Sequence, residues 1–353
     1  MRIALLATHF ADYSLELALE LAETHQVLLL ADREKLAGEC APERVAEAGR
    51  RLNLSLFSQN RRDRRLLADL WARRQLSRFR PDAVIAHEHI HPHVTRIQGH
   101  AARISKLLLI VHDPEPHEGR DAALAAAHQR QRQAQRGQAH HYFVHGAYCL
   151  SRLKAAMGEA KPISSIPHGP IMRPLAVTPP PGGRRALMFG RMEAYKGLDL
   201  LLEAYQRLAA AGVPAPLHLA GQGPELDLLE AAFAALPGCT IEKGYISRER
   251  VIEAMQAADL IVAPYREATQ SGVMAAAFAN ARPMLATRVG GLPDFVRDGA
   301  NGELVTPDDA GALATALEAW PAQGHELWRG ALASAEGEMH WRVAAQAFAE
   351  AAR

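Results

Sequence analysis

Cysteine is scarce in this sequence: Cys40, Cys149 and Cys239 are the three in 353 residues, far apart and in no CxxC spacing. That disfavours a disulfide framework or a zinc site and makes a reducing cytosol the simplest setting. Charge of one sign is missing as well. Forty Lys and Arg stand against 39 Asp and Glu, a net of +1, so no global field draws nucleic acid. Long apolar runs are absent too. Residues 3–7, "IALLA", are too short for the core of a secretion signal, and no run approaches the roughly 18 apolar residues of a membrane span. The expectation is a protein that is soluble, or at most peripheral on the cytoplasmic face of a membrane.

What the sequence has is apolar content, 48%, arranged as short runs alternating with longer amphipathic stretches. "RIALLAT", "QVLLLA", "DAVIAH", "KLLLIVHD" and "HYFVH" read as parallel strands covered on both faces. Between them lie helix-length segments such as "SLELALELAE". The pattern stops at 167–184, "PHGPIMRPLAVTPPPGGR", then restarts with "RALMFG", "PLHLAG", "TIEKG", "DLIVAP" and "RPMLAT". Such βα alternation predicts an α/β chain with two doubly wound, Rossmann-like domains, 1–168 and 185–338, a Pro/Gly-rich linker at 169–184 and a terminal helix over 339–353.

Ligands of such sheets bind beyond the carboxyl ends of strands, so the loops there carry the candidate residues. "MFGRMEAYKGLDLLLEA" puts Gly190 at a strand end, Arg191 just beyond it and Lys196 at a helix start. Two cations beside a helix N-terminus suit an anion such as a diphosphate, although two solvated surface charges would look the same. "LAGQGPEL" offers Gly221 and Gly223 ahead of Pro224, either a ligand-approach loop or a tight turn into a helix. In "PYREATQSGVMAAAFA", Thr269, Gln270, Ser271, Gly272 and Val273 would turn backbone N–H groups outward at a second helix start, or form an ordinary Ser/Thr cap. In the first half, "LLIVHD" sets His112 at a strand end, where it could shuttle a proton, bond a sugar hydroxyl or be purely structural. "HEHIHPH", residues 87–93, has metal-like spacing, yet Pro92 interrupts any helix that would converge it, and a polar loop is the favoured reading. Residues 61–80 carry eight arginines and two aspartates around Leu66, Leu67, Leu70 and Trp71. They read as a core-packed helix with a basic face, or as one lying on an anionic membrane.

Taken together, "GRMEAYKGLDLLLEA", "AGQGPEL", "ADLIVAPYREATQSGV" and "RPMLATRVGGLPDFVRDGANGELV" over residues 184–306 resemble the retaining glycosyltransferases of family 4, and "RPDAVIAH", "VHD" and "IPHGP" extend the likeness into the first half. The resemblance implies the GT-B architecture, two Rossmann-like domains facing across a cleft. The second would bind a nucleotide-sugar donor, a UDP- or GDP-sugar, and the first a glycan or lipid-linked acceptor. It implies that Arg191 and Lys196 hold the donor diphosphate and that Gly190, Gly221, Gly223 and the 269–273 segment surround the nucleotide sugar. By the same likeness His112 faces the transferred sugar, the terminal helix crosses back to the first domain, and no metal or other cofactor takes part. Gly290 and Gly291 match the family's glycine pair. One departure is clear: the family's two glutamates fall on Ala268 and Ala276, with Glu267 one residue from the first, and "ATQSGV" resembles a variant branch. The implied activity is metal-independent transfer of a hexose to a hydroxyl, in exopolysaccharide, lipopolysaccharide or glycolipid assembly. A GT-B nucleotide-sugar epimerase and a non-catalytic sugar-nucleotide or glycan-binding subunit are the alternatives.

Overall fold

The computed structural model describes residues 1–58, 62–115, 120–158, 160–320 and 324–353. It divides into two units, Met1–Gly169 with His340–Arg353, and Pro170–Met339. Each is a parallel sheet of Rossmann type with helices on its faces.

The first unit has seven strands: β1 (Arg2–Ala7), β2 (Gln26–Asp32), β3 (Asn53–Phe57), β4 (Ala83–His87), β5 (Lys106–Ile110), β6 (His141–His145) and β7 (Ile163–Ile166). They lie in the order β3-β2-β1-β4-β5-β6-β7. The central strands are buried along nearly their whole length, because parallel strands need crossover helices that then cover both faces. The order reverses between β1 and β4, and that is where such a sheet opens a crevice. The C-terminal helix Trp341–Ala352 packs on this unit: Phe348 lies 4.2 Å from Phe143, ring centre to ring centre, and Trp341 stands edge-on to Tyr13 at 4.6 Å.

In the second unit β8 (Ala186–Arg191), β9 (Leu217–Gln222), β10 (Cys239–Lys243), β11 (Leu260–Ala263), β12 (Met284–Thr287) and β13 (Gly302–Val305) lie in the order β10-β9-β8-β11-β12-β13. Here the reversal falls between β8 and β11. The proline-rich stretch after Gly169 belongs to this unit and is bonded to it. Asn280 donates to the Met172 carbonyl at 3.0 Å, Arg282 to the Thr178 carbonyl at 2.9 Å, and Asp259 accepts from the Gly182 and Arg185 amides. A segment that cannot form ladder bonds thus has its backbone satisfied by polar side chains.

The helix over Arg62–Phe79 buries Ala68, Ala72 and Leu76, and Trp71 packs near Phe57. Leu66, Leu67 and Leu70 stay 62%, 67% and 64% exposed. The core thus takes two alanines and one leucine of this helix and leaves three other leucines in water. Arg61, at the head of the basic segment, lies outside the described residues.

Candidate functional site

In the second unit the carboxyl ends of β8 and β11 flank the reversal, and the loops leaving them meet there. After β8 the chain makes a short 3-10 turn, Ala194–Lys196, and enters the helix Leu198–Ala210 through Gly197 at φ 65°. A Cβ on Gly197 would lie 2.0 Å from the Pro264 carbonyl oxygen, so this glycine lets the two loops touch. Arg266 then clasps them: its guanidinium forks onto Asp199 at 2.7 and 2.8 Å and reaches Asp308 at 2.8 Å. From the other side Gly291 donates its amide to the Ala268 carbonyl at 3.1 Å. A Cβ on Gly290 would fall 1.6 Å from that oxygen. Gly290 and Gly291 therefore shape the loop that carries Thr269 to Val273.

Within this frame Lys196 is 7% exposed. Its ammonium sits 5.1 Å from the centre of the Tyr265 ring and close to Gly190, a cation–π arrangement. Burial, reinforced by nearby Arg191, holds its pKa below the usual lysine value. Arg191, the last residue of β8, is exposed. Among the described residues neither cation has a carboxylate within 4.0 Å. Glu193 lies near enough to favour the charged lysine without pairing with it, and a buried lysine with no ion pair in contact is costly unless an anion completes it.

Facing them, the helix Gly272–Ala279 begins with Ser271, whose hydroxyl accepts from the Met274 amide at 3.4 Å. The cap reading of Ser271 is therefore realised, and amides of the first turn remain beside it. Thr269 and Ser271 are buried, Glu267, Gly272 and Val273 half-buried, and the Gln270 Oε1 is buried with no partner. A Cβ on Gly272 would rest in ordinary contact with the Ile171 side chain at 3.7 Å, so a methyl fits there and a longer side chain does not enter without displacing something. Gly272→Ala is accordingly expected to leave the melting temperature unchanged while weakening donor binding about 10-fold by crowding the first turn where the donor would approach. Calorimetry beside a thermal melt checks both halves.

Gly221 and Gly223 have a packing reason of their own. Cβ atoms there would lie 1.9 Å from the Gly190 carbonyl and 2.3 Å from that of Met192. They shape the neighbouring turn into the helix Pro224–Ala234. Ala268 and Ala276 are both buried, 5% and 1% exposed, so the missing carboxylates leave close-packed methyls behind them.

His112 stands in the first unit, where the loops after β1 and β4 border a cavity of about 410 Å³ lined by His9, Lys35, Glu88, His91, His112, Asp113 and Arg132 among others. Its Nε2 lies 2.8 Å from His87 Nδ1, whose own Nε2 meets Ser14 Oγ at 3.0 Å. Its Nδ1 is buried without a partner. A direct hydrogen bond from His112 to a sugar therefore requires the ring to turn. Burial depresses His9 to about 3 and His168 to about 4, and holds His87, His112 and His145 far below the ordinary value; all are neutral imidazoles at pH 7. Of the "HEHIHPH" histidines, the rings of His89, His91 and His93 gather within 4.9–6.3 Å of one another, centre to centre, but their nitrogens do not close on a common point as those of His112, His145 and His168 do. His87 ends β4, Glu88 pairs with Arg136, and Pro92 opens the helix Pro92–Ile104 instead of breaking one. Sequence reasoning missed Tyr265, the Arg266 clasp, His145 and His168. For the last two a signal existed, a histidine at or just past a strand end, as with His112.

This geometry agrees with what the chain is similar to. Residues 183–321 match the family model described as glycosyl transferases, group 1. That match takes in 139 of the 353 residues, most of the second unit. Over 151 residues the chain is 30% identical to a D-inositol 3-phosphate glycosyltransferase of Mycobacterium sp. (strain KMS), covering 40% of this chain and 33% of that protein. A phosphatidyl-myo-inositol mannosyltransferase of Mycolicibacterium smegmatis is 31% identical over 159 residues, 43% of this chain and 41% of the relative. The chain thus spans about a third of the length of the first of these curated relatives. By structure it resembles Anabaena Alr3699/HepE in complex with UDP and glucose, with a TM-score of 0.69, 17% identity and 99% coverage of both chains. Sucrose-phosphate synthase of Thermosynechococcus elongatus gives 0.67 at 18% identity, with 99% of this chain and 98% of that one covered. The fold of the chain is therefore that of GT-B glycosyltransferases.

Proposed function

We propose that the protein is a retaining, metal-independent hexosyltransferase that moves a hexose from a nucleotide diphosphate sugar to a hydroxyl of a glycan or lipid-linked acceptor. The observation that carries this is that two cations, Lys196 and Arg191, follow β8 while the Ser271–Gly272 helix start follows the neighbouring β11, with Tyr265 lying under the Lys196 ammonium and bonding Ser271. As the anomeric carbon–oxygen bond breaks, negative charge grows on the leaving diphosphate. Preorganised cations and amides stabilise that charge more in the transition state than in the bound donor. The acceptor oxygen bonds the anomeric carbon from the same face, and its proton passes to the departing phosphate, so no protein nucleophile is needed. HepE's bound UDP and glucose make a UDP-sugar the first donor to try.

Calorimetry with UDP-, GDP-, ADP- and dTDP-sugars, with and without EDTA, followed by a turnover assay with acceptor, tests the reading. Chelator-insensitive binding of one nucleotide family with acceptor-dependent consumption is expected. A trapped covalent glycosyl-enzyme, or isomerised sugar released without acceptor, would overturn it. The buried Ala268 and Ala276 favour a second reading, a subunit that binds donor without consuming it; binding with no turnover against any acceptor would establish that instead.

The acceptor side suits a membrane-borne substrate. No helix among the described residues is long and apolar enough to cross a membrane, but exposed Leu66, Leu67 and Leu70 share a helix with Arg73, Arg74 and Arg78. Apolar residues beside cations are what an anionic bilayer surface takes up. Replacing all three leucines by glutamate is expected to abolish sedimentation with anionic liposomes at low salt while donor binding persists. Failure of the unaltered protein to sediment would end the membrane assignment.

A further inference from the structure

We propose that His112, His145 and His168 form a site for a zinc-class transition-metal ion inside the first unit. Three adjacent parallel strands deliver them: His145 ends β6, while His112 and His168 each stand two residues past the ends of β5 and β7. All three are buried, and a donor atom from each lies within 4.8 Å of the others. Small side-chain rotations bring such atoms to the roughly 3.4 Å separation that tetrahedral bonds of about 2.0–2.1 Å require. Among the described residues no other group of three potential ligands converges in this way.

The remaining ring nitrogens fit ligation one by one. His168 Nδ1 faces the Gly169 carbonyl at 2.9 Å, which places its proton there and leaves Nε2 with a free lone pair. His112 Nε2 lies 2.8 Å from His87 Nδ1, and His87 Nε2 lies 3.0 Å from Ser14 Oγ. A proton on His112 Nε2 and another on His87 Nε2 satisfy both contacts and free His112 Nδ1, which is buried and unpartnered. Neither ring nitrogen of His145 has a hydrogen-bond partner, although the Ile166 and Pro167 backbone lies near enough to favour a proton on that ring. Metal-bound histidines hold their second N–H against a carbonyl or another acceptor in this manner. Without an ion, nitrogens are left orphaned in the core at a cost that buried polar groups rarely bear.

Three neutral imidazoles with no cysteine among them select zinc-class ions over magnesium or calcium, which prefer oxygen. Tyr13 packs against all three rings. Its ring is 5.7, 5.6 and 5.2 Å from those of His112, His145 and His168, and its hydroxyl is buried without a partner. It is the residue placed to supply or orient the fourth ligand. Bound metal would tie the ends of three strands together.

The experiment is metal analysis of the full chain grown with added zinc and purified without chelator, beside His145→Gln, His168→Gln and, in the neighbouring histidine-rich loop, His91→Gln. One equivalent of zinc is expected in the unaltered protein and in His91→Gln, with at least about a 10-fold loss in the other two. Cobalt(II) added to the metal-free unaltered protein should give the strong visible bands of a tetrahedral nitrogen site, a readout that survives if the variants fail to fold. Substoichiometric zinc with no such bands, which leaves buried water as the partner of these nitrogens, would overturn the assignment. So would zinc retained by both cluster variants but lost in His91→Gln. Donor calorimetry in the second unit reads separately from all of these.

Discussion

Lys196→Ala is expected to lower turnover about 10²–10³-fold, the loss that follows removal of one preorganised group aimed at developing charge. The ammonium is buried, stacked over Tyr265 and free of any carboxylate within 4.0 Å among the described residues. Nothing else in the loop can take its place, because Arg191 lies on the exposed side. Lys196→Arg should recover only part of the loss, since the longer planar fork does not fit the space beside Gly190 and Tyr265. The pH profile carries a second signature. Burial lowers the lysine pKa from its ordinary 10.5, and the protonated form is the one that holds a diphosphate. Donor affinity should therefore be full at lower pH and fall as pH rises through a value below the ordinary one, a limb that Lys196→Arg removes. Calorimetry and initial rates measure both, and unchanged affinity and turnover in Lys196→Ala would dismiss the diphosphate assignment.

The largest expected loss of stability lies at Arg282, which is fully buried and has no carboxylate within ion-pair range among the described residues. Its guanidinium donates to five backbone carbonyls: Met255 at 2.7 Å, Gln256 and Thr178 at 2.9 Å, Asn280 at 3.1 Å and Ala281 at 3.3 Å. The first two end the helix Arg248–Gln256, and Asn280 and Ala281 follow the helix Gly272–Ala279. One side chain thus satisfies the orphan carbonyls of two helix ends, where the dipoles favour positive charge, and anchors the proline-rich entry segment through Thr178. Burial pulls its pKa down to about 10, which still leaves it charged at neutral pH. Arg282→Met should cost about 3–5 kcal/mol, because it strands several buried acceptors at once. Thermal and urea unfolding of the second unit would show this as a drop of roughly 10 °C. A loss below about 1 kcal/mol would mean that water replaces the guanidinium.

Much of the fold was legible because parallel strands buried on both faces must be apolar throughout. "IALLA", "KLLLI" and "LIVA" could hardly be anything else, and they became β1, β5 and β11. The strands that went unread, β3, β7 and β13, with sequences NLSLF, ISSI and GELV, lie at sheet edges. An edge strand has a neighbour on one side only and less cover, so it tolerates polar residues and loses its signature. At the donor site the cations and the helix start could be read locally, since each element of an anion-binding loop lies within a few residues of the next. The Arg266 clasp could not, because Asp199 and Asp308 are 67 and 42 residues away.

By itself the sequence determined the alternation of strands and helices, the candidate anion loops after β8 and β11, and the likeness to a glycosyltransferase family. These rest on residue type and short spacing, which a linear reading captures. Only the tertiary structure decided that the linker belongs to the second unit, that Gly221, Gly223 and Gly290 are needed by backbones passing within 1.6–2.3 Å of where a side chain would be, and that His112, His145 and His168 share one pocket. The physical reason is strand order. A parallel sheet sets side by side residues that are 20 to 30 or more positions apart in the chain, and that adjacency is a property of the packed sheet.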